Sequence, residues 1–151
     1  MPQTEYIRWV PAPNNIKRIG KIHTLLYVGT FGLVGGRIDG LDILLLTTIG
    51  KKTGRARAVP LPFFRVGSAV IVVGSFGGNA KDPAWVANVA ERPEVRVQRG
   101  FRRWNARARL AQGEEREHLW TGLTQEFPRY AVYQTKTPRP IPLVVIDPPP
   151  P

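Results

Sequence analysis

Apolar positions in this chain recur at two different spacings. Between residues 16 and 26 the residues Ile16, Ile19, Ile22, Leu25 and Leu26 fall at helical intervals, with Lys17, Arg18 and Lys21 between them and Asn14 or Asn15 placed to cap. This predicts a short basic amphipathic helix running to about Val28. From residue 42 onward the period changes. Asp42 to Ile49 is an apolar run of strand length. Ala58 to Val66 is a second, and Pro60 and Pro62, which lack the N–H that a ladder needs, mark it as an edge or bulged strand. Gly67-Ser68 is a hairpin turn into a third strand, Ala69 to Gly74. Val95 to Gln98 and Arg103 to Leu110 form another hairpin around Arg99-Gly100. In its second arm Trp104, Ala106, Ala108 and Leu110 alternate with Asn105, Arg107 and Arg109, the period of a strand with one wet face. Ile141 to Ile146 is a last strand.

Helices punctuate these strands. Asp82 stands as a cap with Pro83 in the first turn, Trp85, Val86 and Val89 follow, and Pro93 stops the run. Glu114 to Phe127 is a second helix, its early acids favoured by the helix dipole, and Pro128 ends it. Tyr130 to Lys136 adds a further turn. Gly29 to Gly40 carries five glycines and reads as a connector; its spacing does not match a dinucleotide fingerprint. Three segments result: residues 1–40 with a tail, the helix and the connector; residues 41–147 with the strands; and a proline tail, 148–151. About six short, mostly antiparallel strands with interspersed helices predict a mainly β fold with peripheral helices (α+β), a small barrel.

Charge narrows the partner. The chain holds 22 Lys+Arg against 11 Asp+Glu, a net charge of +11. Such a balance calls for nucleic acid, an anionic membrane or an acidic cofactor. Basic and aromatic residues are present, but no nucleic-acid motif is, so nucleic acid is not expected. There is no cysteine and the histidines are His23 and His118, which excludes disulfides and thiolate sites and argues against a metal centre. The N-terminus starts polar with Pro2, Pro11 and Pro13, and no apolar run approaches the roughly 20 residues of a membrane span. A cytoplasmic monomer is expected. Its basic helix either packs on the domain or makes a peripheral membrane contact.

The candidate chemistry lies in two loops. Gly50-Lys51-Lys52-Thr53-Gly54-Arg55-Ala56-Arg57 packs two glycines and four basic residues between two strands. Clustered like charges repel unless an anion joins them, and glycine lets backbone N–H groups turn toward that anion. No Gly-Lys-Ser/Thr follows at Walker spacing. A second glycine-rich loop, Ser75 to Lys81, leads into the helix at Asp82, where little side-chain bulk suits a planar or phosphorylated ligand. Trp85 and Asn88 share a helix face at i and i+3; base rates place Trp85 in the core. Tyr130 and Tyr133 have the same spacing, for packing or for a pocket. Ser68 and Ser75 stand in no nucleophile motif and no carboxylates pair, so an enzyme here needs a bound cofactor for its hard chemistry.

Several of these stretches together resemble the deazaflavin-dependent nitroreductase family of actinobacterial reductases. They are Leu44 to Gly54 with Arg57 and Pro60-Leu61; Ser75-Phe76-Gly77-Gly78-Asn79; Pro83-Ala84-Trp85 with Asn88 and Pro93; and Glu114-Glu115-Arg116, Trp120, Pro128-Arg129-Tyr130, Tyr133-Gln134 and Ile141-Pro142. The match runs in order over roughly residues 16 to 147. The resemblance implies a split β-barrel like that of flavin-binding oxidases. It also implies coenzyme F420, a deazaflavin with a phosphodiester and an oligoglutamate tail. Carried over by motif, Lys51, Lys52, Thr53 and Arg57 would hold phosphate and tail, and Ala58, Val59, Pro60, Leu61 and Pro62 would line the cofactor. Val73, Gly74, Ser75 and Phe76, with Ala84, Trp85, Val86, Ala87 and Asn88, would cradle the ring. Tyr130 would close the site, with Tyr133 beside the substrate as the catalytic candidate. Hydride transfer to a quinone, an activated alkene (enone) or a nitroaromatic is the implied reaction, with a tyrosine hydroxyl or water delivering the proton. FMN or haem in the same barrel, or a non-catalytic deazaflavin carrier, are the alternatives. Phe76 stands where some members carry a basic residue. Pro62 and Phe127 stand where members that reduce nitro-prodrugs tend to have tyrosines, which favours a quinone or enone acceptor.

Overall fold

In the computed structural model, which describes residues 21–22, 24–27, 30, 36–38 and 40–151, a two-residue strand β1 (Arg37–Ile38) leads into β2 (Leu41–Ile49). There follow β3 (Ala56–Val66), β4 (Ala69–Val73), β5 (Glu94–Arg99), β6 (Arg102–Leu110) and β7 (Leu143–Ile146). Neighbours run β2-β3-β4-β7-β6-β5, and β5 pairs back to β2 through Leu45↔Gln98, Leu46↔Val97 and Thr47↔Arg96, so the sheet closes into an antiparallel barrel. The helices are α1 (Ala84–Glu91), α2 (Gly113–Glu126) and α3 (Arg129–Thr135), with a 3-10 turn at Phe76–Gly78.

Side-chain alternation decides which face each strand buries. Leu44, Leu46, Leu61, Phe63, Val70, Val72, Val97, Trp104 and Ile146 fill the barrel, and Trp85, Val86 and Val89 of α1 join them. β2 is unbroken in its apolar character because both its faces are covered: Ile43 and Leu45 pack outside the barrel with Tyr27. The outer faces of β4 and β7 (Ile71, Val73, Leu143, Val145) are covered by Leu119 and Leu123 of α2 and Tyr130 of α3. Each such fully buried side chain contributes about 1.5–3 kcal/mol relative to exposure.

β3 changes partner midway. Residues 56–62 pair with β2, and Phe63 to Val66 pair with β4. Pro60 and Pro62 lie opposite Leu45 and Ile43. They share parity, so both direct their missing N–H to one side, and along this half β3 has a partner strand on one side only. The edge expected from these prolines is the first half of β3; the second half lies within the sheet.

Three further expectations are modified. The N-cap of α1 is Pro83 without a side-chain cap bond, because the Asp82 carboxylate is taken by Arg139 at 2.6 Å. β7 starts at Leu143 rather than Ile141. Within the glycine-rich connector, Arg37 and Ile38 pair with Asp42 and Leu41. Of the N-terminal helix, residues 21–22 and 24–27 are helical; residues 1–20 lie outside the described residues.

Candidate active site

The basic turn is closed by its own backbone. Gly54 N–H donates to Gly50 O and Gly50 N–H to Arg55 O, both at 2.8 Å. Gly50 is closely approached: a Cβ there would come within 2.6 Å of Thr53 Oγ1 and 3.3 Å of Arg55 O, so a larger residue would have to displace the Thr53 side chain. The turn is fastened to α1 by Asn88, whose Oδ1 accepts the Lys51 N–H at 2.9 Å while its Nδ2 donates to Thr48 Oγ1 at 3.0 Å. Lys51 Nζ lies 3.5 Å from Glu91. Lys52, Arg55 and Arg57 are exposed and make no ion pair among the described residues. Three unneutralised cations held on one short turn form a donor set suited to a polyanion.

The second loop departs where β4 ends. Gly74 N–H donates to Pro142 O at 2.8 Å, and a Cβ on Gly74 would meet Val86 Cγ2 at 2.9 Å. Phe76 follows at φ +46°, the one non-glycine residue with positive φ among those described, then Gly77 at +64° and Gly78 at +78°. A left-handed phenylalanine costs on the order of 1–3 kcal/mol and persists only where its surroundings hold it. Here the holder is Arg139, with a side chain only 14% exposed. Its Nε donates to Asn79 O at 2.8 Å, its Nη2 to Ser75 O at 2.9 Å and its Nη1 to Gly74 O at 3.3 Å. Its Nη1 also meets Asp82 Oδ1 at 2.6 Å. Gln134 of α3 secures the Arg139 backbone by donating to its carbonyl at 2.7 Å. Sequence reasoning missed Arg139; the signal available was one arginine between two prolines, Pro138 and Pro140, remote from the loop it serves.

α3 forms the far wall. Gly78 lies against it so closely that a Cβ would sit 2.6 Å from Tyr133 O. Tyr130 is buried and meets Phe64 and Tyr133 edge-on at 5.6 and 5.8 Å, and Phe64 also packs on Phe127 at 4.7 Å. Tyr133 is half-buried, with Lys136 Nζ 5.8 Å from its ring centre. Burial first, and the neighbouring Tyr133 second, push the Tyr130 phenol well above its ordinary pKa, so it stays protonated at neutral pH.

The residues singled out from sequence thus divide by where their side chains lie. Lys51, Lys52, Thr53, Arg57, Ala58, Ala84 and Ala87 are exposed; Pro60, Pro62, Ser75, Phe76 and Tyr133 are half-buried. Val59 and Leu61 turn toward the barrel core with Trp85 and Val86, while Val73 and Tyr130 belong to the outer core beneath α2 and α3. Asn88 joins the basic turn to α1, Gly74 touches Val86, and Gly78 touches Tyr133, so a continuous surface runs from the turn through α1 and the second loop to α3. No hydrogen bond or ring contact among the described residues links the basic turn directly to the tyrosine pair. Two concavities lie beside this surface rather than on it. One, of about 600 Å³, involves Ile49, Ala56, Arg96 and Arg107; another, of about 140 Å³, lies between Phe64, Val66, Ile71 and Leu123.

A family model described as F420H(2)-dependent quinone reductase matches residues 19–148. The chain belongs to the F420H2-dependent quinone reductase family. It is 34% identical over 143 residues to an F420H2-dependent quinone reductase of Mycobacterium tuberculosis H37Rv, covering 92% of this chain and 95% of that protein. Among solved structures it resembles an F420H2-dependent reductase (42% identity, TM-score 0.62, 70% of this chain and 93% of that one). It also resembles a chain described as a domain-swapped dimer (38% identity, TM-score 0.65, 90% and 100% coverage). A likeness to the haem storage protein HutZ of Vibrio cholerae, at 13% identity and TM-score 0.51, shows the barrel alone. The split barrel expected from sequence is the observed fold. Membership makes the protein an F420H2-dependent oxidoreductase with coenzyme F420 as its cofactor, in place of FMN, haem or a carrier role. The residues present fit that group: the uncompensated Lys52, Arg55 and Arg57 match a phosphodiester and oligoglutamate tail, and the exposed Ala84 and Ala87 keep the outer side of α1 free of bulk.

Proposed function

We propose that the protein reduces quinones with F420H2, and that its cofactor lies along the surface joining the basic turn, α1 and the second loop. The observation that carries this reading is the set of unpaired cations on a turn that Asn88 ties to α1. Lys51, Lys52, Thr53 and Arg57, helped by Arg55, hold phosphate and glutamates; Ala58, Pro60 and Pro62 with the backbone of Val59 and Leu61 line the ring. Gly74 to Phe76 and the α1 residues Ala84 to Asn88 complete the cradle, the buried Trp85, Val86 and Asn88 by fixing the helix rather than by touching the ring. When bound, the reduced coenzyme supplies a hydride from carbon 5 of the deazaflavin.

The chain supplies orientation, exclusion of water and a proton. In this reading Tyr133 delivers it, directly or through a water; its half-buried position beside Tyr130 supports that role. Tyr130, held neutral by burial, fixes the Tyr133 ring. Pro62, Phe64 and Phe127 give the acceptor side an apolar wall, which favours a flat quinone over an enone and disfavours a bulky nitroaromatic. Oxidation of the reduced coenzyme across a quinone, enone and nitroaromatic panel tests this. Fastest turnover with quinones is expected; turnover confined to nitroaromatics would sink the reading. We also propose a monomer, to be checked by light scattering against the dimer described for a relative.

A further inference from the structure

Alternation along β3 puts Ala58, Pro60, Pro62, Phe64 and Val66 on the outer side of the barrel, opposite Ile43, Leu45 and Thr47 of β2 and Ile71 of β4. The first three belong to the proposed cofactor and acceptor side. The last two border a groove of about 140 Å³ whose other bank is α2. Its floor is Phe64 with the buried Ile71, Leu119 and Leu123. Phe64 is shared: its ring also meets Phe127 at 4.7 Å and Tyr130 at 5.6 Å, and Tyr130 meets Tyr133 at 5.8 Å. The groove therefore starts at the residue where the apolar acceptor wall ends.

Gly122 stands at the mouth of this groove, and the fold does not explain it. It lies inside the 14-residue helix α2, where glycine is among the least favourable residues. Its φ is not positive, and a Cβ there would meet nothing within 4 Å. Neither backbone conformation nor close packing calls for a glycine, whereas a side chain at this position would narrow the groove. Arg65, His118 and Glu126 stand around the opening. Among the described residues no buried side-chain nitrogen or oxygen lacks a hydrogen bond, so the floor holds no polar atom left over for a polar ligand.

We propose, on the quinone reading given above, that this groove is the subsite for a hydrocarbon chain carried by the acceptor ring. The ring lies on the Pro62 and Tyr133 side of Phe64, and the chain passes over Phe64 between the β3–β4 pair and α2. From Pro62 to Val66 the strand rises roughly 13 Å, so a chain of several carbons spans it. An apolar floor with polar groups only at the rim matches a hydrocarbon and offers nothing to orient a polar substituent. The hollow is too small for a helix or strand of another protein, and its floor is continuous with the wall that faces the acceptor.

Methylbenzoquinone and its decyl derivative separate chain from ring. With the reduced coenzyme, wild-type protein should show a KM for the decyl compound about fivefold or more below that for the bare ring. Gly122→Leu fills the mouth with a good helix former and should erase most of that preference. Val66→Glu, from the facing strand, should act in the same direction. Equilibrium dialysis of the decyl quinone against the full chain without coenzyme reads the groove apart from turnover. Retention by wild type and about fivefold weaker retention by Gly122→Leu are expected. That result with no quinone reduced would sink the quinone reading and leave the groove as a hydrocarbon site. Equal KM values for the two quinones in wild type, no retention of the decyl compound by wild type, or retention by Gly122→Leu as tight as by wild type would each overturn the proposal.

Discussion

Asn88 and Thr48 are joined side chain to side chain across the junction of α1 and β2, Nδ2 to Oγ1 at 3.0 Å, and the other end of the same amide accepts the Lys51 N–H. One buried amide thus connects a helix, a strand and the turn that carries the unpaired cations. Asn88→Leu would leave the Thr48 hydroxyl and the Lys51 N–H without this partner. A loss of about 1–3 kcal/mol is expected in chemical denaturation, with weaker coenzyme binding in a fluorescence titration. Asn88→Asp keeps the acceptor for Lys51 and loses the donor to Thr48, so it should retain more coenzyme affinity than Asn88→Leu.

Arg139 is expected to matter for the second loop beyond its charge. Arg139→Ala removes the donors to the Gly74, Ser75 and Asn79 carbonyls together with the Asp82 pair, and should cost about 1.5–3 kcal/mol. Arg139→Lys preserves the charge but not the fork of donors. If the lysine variant matches wild type in denaturant midpoint and in coenzyme affinity, the clamp is unimportant.

Gly78 tests the seam between the second loop and α3. An alanine there needs φ near +78° and places its Cβ against Tyr133 O. The left-handed conformation alone costs about 1–2 kcal/mol, and relief of the clash must move α3. Gly78→Ala should lower both thermal stability and kcat, whereas Gly67→Ala, also at positive φ but with open space around it, should lower stability alone.

Lys52 and Arg57 should behave differently from all of these. Neither holds the fold, so Lys52→Ala and Arg57→Ala are expected to change apo-protein stability by less than about 0.5 kcal/mol. Each should weaken coenzyme binding about two- to fivefold, as exposed charge contacts do, and flatten the dependence of affinity on salt. A salt response identical to wild type would remove the residue from the anion site.

Tyr130 sets an alkaline limit. Its folded-state pKa is raised by burial, so the neutral phenol is the form the fold accepts. In the unfolded chain it ionises near 10. Stability from this residue is therefore complete below about pH 10 and declines as pH rises above it. The raised Tyr27 phenol, buried near Gly100, acts in the same direction. Tyr130→Phe should make the loss of stability between neutral and strongly alkaline pH shallower, as followed by thermal melts.

What could be read in the chain depended on how local the cause was. The alternation in β6, the Gly67 and Arg99-Gly100 turns, and the cations of the basic turn are short-range patterns, and each corresponds to an element seen. The role of Arg139 was not legible because its acceptors lie about sixty residues earlier and are backbone carbonyls, which carry no side-chain signature. Asp82 has the right type for a cap, yet the helix starts one residue later, with Pro83 at the cap position, and a distant guanidinium holds the carboxylate. Trp85 shows the converse: its spacing with Asn88 was right, while the closing of the barrel around α1 decided that the indole lies in the core. The family resemblance named a candidate site region; it could not say which of those side chains face outward.

The two prolines of β3 bear on how the protein survives at high concentration. A half-open strand presents bare carbonyls and N–H groups and invites the edge of another molecule to add to the sheet. Pro60 and Pro62 remove alternate donors from that edge, so an incoming strand finds a ladder with its rungs missing. Substituting both with residues such as Thr or Val would leave the β2 side of the pairing undisturbed and restore the missing rungs. The gain in local regularity would come with a new route to fibrils or swapped assemblies, which makes the irregularity of this strand a solubility device.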